Sequence, residues 1–140
     1  MTNFRKSSIF LIIVLMWSSI TTAQEISNTE LKDFQIVIDQ FNVDSNKINL
    51  ICNEGCAWKT LSFSLSELNI IQKVDEYGMV NSDEESKKSD NNELSEFLFT
   101  IRKTDNGVYL QGLEGTAWKD LSFNINKNRS QAVDQYGMTD

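Results

Sequence analysis

The chain has 140 residues and a net charge of −7, from 13 basic and 20 acidic side chains, with no histidine and no proline. An acidic surface repels phosphate backbones, which argues against a nucleic-acid partner, and it disfavours anionic membrane surfaces. Without histidine the chain lacks the usual general base and the commonest metal ligand, so an enzyme would have to work with carboxylates.

Residues 1 to 23 read as a secretory leader. Arg5 and Lys6 supply a small positive region, Ile9 to Trp17 is an uninterrupted apolar run, and Thr21-Thr22-Ala23 suits cleavage before Gln24. The apolar run is shorter than the roughly 20 residues that span a bilayer. A mature chain free of the membrane, in the periplasm or outside the cell, is therefore expected. Residues 24 to 30 form a short tail ahead of the first folded unit.

The rest of the chain says one thing twice, and such repetition identifies the structural unit. Glu54-Gly55-Cys56-Ala57-Trp58-Lys59-Thr60-Leu61-Ser62-Phe63 recurs as Glu114-Gly115-Thr116-Ala117-Trp118-Lys119-Asp120-Leu121-Ser122-Phe123. Val74-Asp75-Glu76-Tyr77-Gly78-Met79 recurs as Val133-Asp134-Gln135-Tyr136-Gly137-Met138. Copy one covers residues 31 to 80 and copy two residues 93 to 140.

In copy one, strands are expected at Phe34–Ile38, Ile48–Cys52, Trp58–Leu65 and Ile70–Asp75, with a polar connection through Asp44-Ser45-Asn46. Residues 81 to 92 contain no apolar side chain and read as a solvated acidic linker. Their spacing does not match a calcium-binding loop. In copy two, Phe97–Ile101 and Val108–Gln111 flank Thr104-Asp105-Asn106-Gly107, which carries the Asn-Gly hairpin signal. Trp118–Ile125 and Ser130–Asp134 follow, joined by a polar turn at Asn126 to Arg129. About eight short strands without helical periodicity predict an all-β sandwich or barrel-like domain. It would consist of two β-meanders of four strands each, related by approximate two-fold symmetry. A unit of about 50 residues is marginal alone, so the copies are expected to pack together rather than hang as separate beads.

Trp58 and Trp118 are candidate ligand or partner contacts, because an exposed tryptophan presents a large ring with one polar handle. Recurring with Leu and Phe three and five positions later, each reads first as a core residue of the repeat. The three are out of phase for one strand, which predicts a bulge near Lys59-Thr60. Tyr77 and Tyr136 are further candidate contacts, although with Met79 and Met138 they are expected to seal an edge of the core. Glu54 with Lys59, and Glu114 with Lys119, are expected to form equivalent surface ion pairs. Gly78 and Gly137 suit a backbone conformation that Cβ hinders, and Asp75 and Asp134 are placed to bond the turns that follow them.

Cys52 and Cys56, the only two cysteines, face Gly112 and Thr116 in copy two. An even count in an exported chain implies a disulfide. So small a loop limits its contribution to about 2 kcal/mol. A redox-active pair lacks C-x-x-C spacing, and a metal site lacks further soft ligands. No cofactor is implied.

The block Cys52 to Phe63, with Asp134-Gln135-Tyr136-Gly137-Met138, resembles a motif in small exported proteins of Bacteroidota-type bacteria. The resemblance implies export and no particular activity. Copy two departs from it by lacking both cysteines. The expectation from sequence is an exported, non-enzymatic β-protein that binds a protein or glycan or serves a structural role. A carboxylate-based glycan hydrolase and a thiol-redox protein are the alternatives.

Overall fold

The computed structural model describes residues 30–42, 46–85, 90–125 and 129–140. The leader, the start of the Asp44-Ser45-Asn46 connection, part of the acidic linker and most of the Asn126–Arg129 turn lie outside the described residues. The fold is all-β. Copy one supplies β1 (Gln35–Asn42), β2 (Lys47–Glu54), β3 (Thr60–Ser64), β4 (Ile71–Asp75) and β5 (Gly78–Val80). Copy two supplies β6 (Leu98–Lys103), β7 (Gly107–Glu114), β8 (Asp120–Asn124), β9 (Gln131–Asp134) and β10 (Gly137–Thr139). Among the described residues no helix is long and apolar enough to cross a membrane.

Two five-stranded antiparallel sheets form, with orders β10-β9-β1-β2-β3 and β5-β4-β6-β7-β8. Period-two alternation sends one set of side chains inward from each sheet. Ile36, Ile38, Ile48, Leu50, Phe99, Ile101, Val108 and Leu110 are all at most 2% exposed. Burial of such a side chain stabilises by about 1.5–3 kcal/mol, so these rows carry the fold. Phe34 and Phe97, which hold equivalent places ahead of β1 and β6, meet with ring centroids 4.5 Å apart. Phe97 continues to Phe99 at 5.8 Å, and Phe99 to Trp118 at 6.2 Å.

The copies do more than pack together. The hairpin β4–β5 of copy one pairs with β6 of copy two, Val74 opposite Phe99. The hairpin β9–β10 of copy two pairs with β1 of copy one, Val133 opposite Ile36. Each sheet is thus three strands of one copy completed by two of the other. Neither copy holds a closed sheet pair of its own.

Two expectations need correction. Each copy has five strands, because Gly78–Val80 and Gly137–Thr139 turn back to pair with β4 and β9. The predicted bulge near Lys59-Thr60 is absent, since β3 begins at Thr60 and pairs in unbroken register with β2. Trp58 precedes the strand, and this removes the phase conflict with Leu61 and Phe63. Register shifts fall at Gln35/Ile36 and Leu98/Phe99, equivalent points of β1 and β6, and β1 has another between Asp39 and Asn42. The hairpin at Thr104–Gly107 forms, with the Thr104 N–H donating to the Gly107 carbonyl at 2.9 Å. Neither Asn106 nor Gly107 takes positive φ. Gly107 is needed instead for close approach, because a Cβ there would strike the Phe123 carbonyl of β8.

Candidate functional site

The two repeated blocks of each copy are partners in space. Asp75 Oδ1 accepts the N–H groups of Tyr77 (2.8 Å) and Gly78 (3.0 Å), which closes the turn between β4 and β5. Asp134 Oδ1 does the same for Tyr136 (2.7 Å) and Gly137 (3.0 Å). Short acidic side chains suit this work because they reach backbone N–H groups two and three residues on. Gly78 and Gly137, at φ 129° and 134°, take the conformation these turns demand.

The segment between the second and third strands then docks on the turn. Trp58 Nε1 donates to the Asp75 carbonyl at 3.0 Å, and Trp118 Nε1 to the Asp134 carbonyl at 2.9 Å. One residue earlier, the Ala57 N–H donates to the Glu76 carbonyl (2.8 Å) and the Ala117 N–H to that of Gln135 (2.7 Å). These bonds join the segment before β3 of one sheet to the β4–β5 turn of the other, and the segment before β8 to the β9–β10 turn. They fasten both long sides of the sandwich, where edge strands would otherwise stand unsupported.

This accounts for the sequence-predicted residues one by one. Trp118 is 8% exposed and packs on Phe99, so it is a core residue and not a ligand platform. Trp58 is half-buried, packs against the core and has its polar handle already engaged. Tyr77 and Tyr136 are 44% and 69% exposed, and Met79 and Met138 are 51% and 53% exposed. They do not seal the core, contrary to expectation. The buried residue of each triplet is the glycine between them, which lies beneath Leu61 and Trp58 in copy one and Leu121 in copy two. With the glycine facing inward, alternation along the strand turns the flanking Met outward, and the Tyr stays outside on the turn. Each copy therefore presents an exposed Tyr and Met on a turn held by an aspartate and a tryptophan. Beside Tyr77 and Met79 a shallow depression of about 200 Å³ is lined also by Val80, Glu84 and Glu85. The expected ion pairs Glu54–Lys59 and Glu114–Lys119 are not formed. All four side chains are exposed, where solvation competes effectively with pairing.

Cys52 and Cys56 stand at disulfide distance, with Cα atoms 6.2 Å apart. Between them Gly55 takes φ 85°. In copy two the same turn is held by the Thr116 hydroxyl, which donates to the Trp118 carbonyl at 2.8 Å. Thr116 Oγ1 fills the space over Gly112 that a Cβ would need. Copy one thus places a covalent bond where copy two has a hydroxyl over a bare glycine.

Two features lay outside the sequence reading. On the outer face, Arg102 lies 4.3 Å from the centre of the Tyr109 ring, and the Tyr109 hydroxyl donates to Asp120. That bond holds the phenol protonated to higher pH than usual. Period-two alternation puts all three residues on one face, but only the ladder makes Arg102 and Tyr109 direct neighbours. The second feature is Glu76, a carboxyl only 2% exposed. Burial, together with the negative charges of Asp75 and Glu96, pushes its pKa up, against hydrogen bonds from the amides of Glu76 and Phe97. Its pairing with Gln135 across the duplication was the available signal. Among the described residues no cluster of three or more Cys, Asp or Glu side chains is arranged to hold a metal ion. No protein-family model, curated protein or solved structure matches this chain.

Proposed function

We propose that this is an exported, non-enzymatic β-sandwich that acts by binding, in the periplasm or outside the cell, through its twin Tyr-Gly-Met turns. The observation that carries this reading is the exposure of Tyr77 and Tyr136 on equivalent, braced turns. Aromatic residues on rigid supports are favoured binding anchors because little side-chain entropy is lost on contact. The partner is a protein or a glycan, and two equivalent contacts on one rigid body allow avidity. The leader-like residues 1 to 23 and the disulfide between Cys52 and Cys56 support export, since such bonds persist in oxidising compartments.

The test is retention of envelope or culture-medium components, and of an array of glycans, on immobilised mature protein. A Tyr77→Ala/Tyr136→Ala double variant should lose the retained partner while keeping its unfolding midpoint. Equal retention by the wild type and the double variant would remove the turns as the binding site.

A further inference from the structure

In each copy an arch of chain joins the second strand to the third, and a backbone bond closes its base. The Cys52 N–H donates to the Lys59 carbonyl at 2.9 Å, and the Gly112 N–H to the Lys119 carbonyl at 2.9 Å. Each arch carries the two donors that brace a Tyr-Gly-Met turn. In copy one these are the Ala57 N–H, 2.8 Å from the Glu76 carbonyl, and Trp58 Nε1, 3.0 Å from the Asp75 carbonyl. Within the arch the two copies use different ties. Copy two has the Thr116 hydroxyl, bonded to the Trp118 carbonyl at 2.8 Å. Copy one has the bond between Cys52 and Cys56. A hydroxyl tie has no redox chemistry, whereas a disulfide can be opened.

This disulfide is placed to open without unfolding. Cys52 is 5% exposed, but Cys56 is only half-buried, so Cys56 is the sulfur within reach of an incoming thiolate. Access of this kind governs the rate of thiol–disulfide exchange. The cysteines are 4 positions apart, and a bond closing so short a loop stabilises the fold little. By the same thermodynamic cycle, the fold does little to hold the bond closed. The Glu54 carbonyl oxygen lies 3.0 Å from Cys52 Sγ and 3.7 Å from Cys56 Sγ. After reduction it can accept an S–H hydrogen bond, so the buried thiol is not left without a partner.

We propose that Cys52–Cys56 is a redox switch acting on the Tyr77 turn alone. Closed, it stiffens the arch that braces this turn. Opened by a dithiol reductant, it lets arch and turn loosen, while Tyr136 stays braced by the arch of Thr116. In the opening step a thiolate of the dithiol attacks Cys56 Sγ, the Cys52–Cys56 bond breaks, and Cys52 leaves as a thiolate that takes up a proton. The second thiolate of the dithiol then attacks the reductant's own sulfur in the mixed disulfide and releases Cys56. The cysteines gain two electrons and two protons, and the dithiol loses them as it closes to a disulfide. The consequence for binding rests on the reading of the turns as binding sites, but the switch is tested without a ligand, so either can fail alone.

The experiment is residue-resolved amide hydrogen exchange on residues 24–140, with and without dithiothreitol, with thiol labelling to follow reduction. Dithiothreitol should reduce the bond in the folded protein. Exchange at Ala57, Tyr77 and Gly78 should then become about tenfold faster, with no change at Ala117, Tyr136 and Gly137. A Cys52→Gly/Cys56→Thr variant, which gives copy one the tie of copy two, should exchange slowly at all six amides in either condition. A bond that opens only on unfolding would overturn the proposal. So would unchanged exchange at the Tyr77 turn after reduction, an equal rise at both turns, or a response to dithiothreitol in the variant without cysteines.

Discussion

Replacing Trp118 with alanine removes two things at once. One is a ring that is 8% exposed and packed 6.2 Å from Phe99. The other is the indole N–H that reaches the Asp134 carbonyl at 2.9 Å. Truncating an interior Trp usually costs about 3–5 kcal/mol, and an intramolecular hydrogen bond contributes about 1 kcal/mol net. The bond is already contained in the truncation figure, so Trp118→Ala should cost about 3–5 kcal/mol. Trp118→Phe keeps most of the ring and drops the donor, so it should cost about 1–2 kcal/mol. Trp58→Ala should cost less than Trp118→Ala, because Trp58 is only half-buried. A small domain has about 5–15 kcal/mol in total, so these differences are large enough to measure by urea titration. Trp17 lies within the leader-like segment, so in a chain expressed as residues 24–140 the tryptophan fluorescence reports on Trp58 and Trp118 alone. A cost below about 1 kcal/mol for Trp118→Ala would refute its place in the core, given what interior truncations cost elsewhere. A larger loss for Trp58→Ala than for Trp118→Ala would refute the asymmetry between the copies.

Further outcomes follow from the same geometry. A Cys52→Ser/Cys56→Ser variant should fold and lose no more than about 2 kcal/mol, because the bond closes so short a loop; mass spectrometry with thiol labelling should show both sulfurs blocked in the wild type. Gly115 takes φ 70°, and a Cβ there would collide with the Glu96 carbonyl, so Gly115→Ala should destabilise by at least about 1–3 kcal/mol in thermal unfolding. Asp134→Ala removes the acceptor for two backbone N–H groups and should cost about 1–2 kcal/mol in the same assay. Residues 24–85 or 90–140 expressed alone should lack a β-sheet circular dichroism signal. The two fragments mixed should recover it, because β4 pairs with β6 and β9 with β1; a folded single fragment would contradict the interleaved topology.

Much of this molecule was legible before folding. The all-β class, the central position of most strands, the pairing of Cys52 with Cys56 and the aspartate-held turns all rest on local chemistry. Alternating side chains, positive-φ glycines and the reach of an Asp carboxylate act over a few residues, and a sequence displays them directly. The exchange of hairpins between the copies is different in kind. Alternation specifies which face of a strand is buried but not which strand lies beside it. In a duplicated chain the choice is degenerate, since Val74 finds an apolar neighbour whether it pairs with Phe99 or with the equivalent Ile36. That choice is settled by chain connection and by the closing of both sheets over one core.

The exchange in turn decides the surface. It brings Trp58 over Gly78 and sets Tyr77 and Met79 outside. It also buries Glu76, an ordinary acidic residue of the sequence, and burial pushes its carboxyl pKa up. Periodicity could place these residues on strands and turns. Their exposure depends on contacts between segments far apart in the chain, and those contacts exist only once the two sheets have come together.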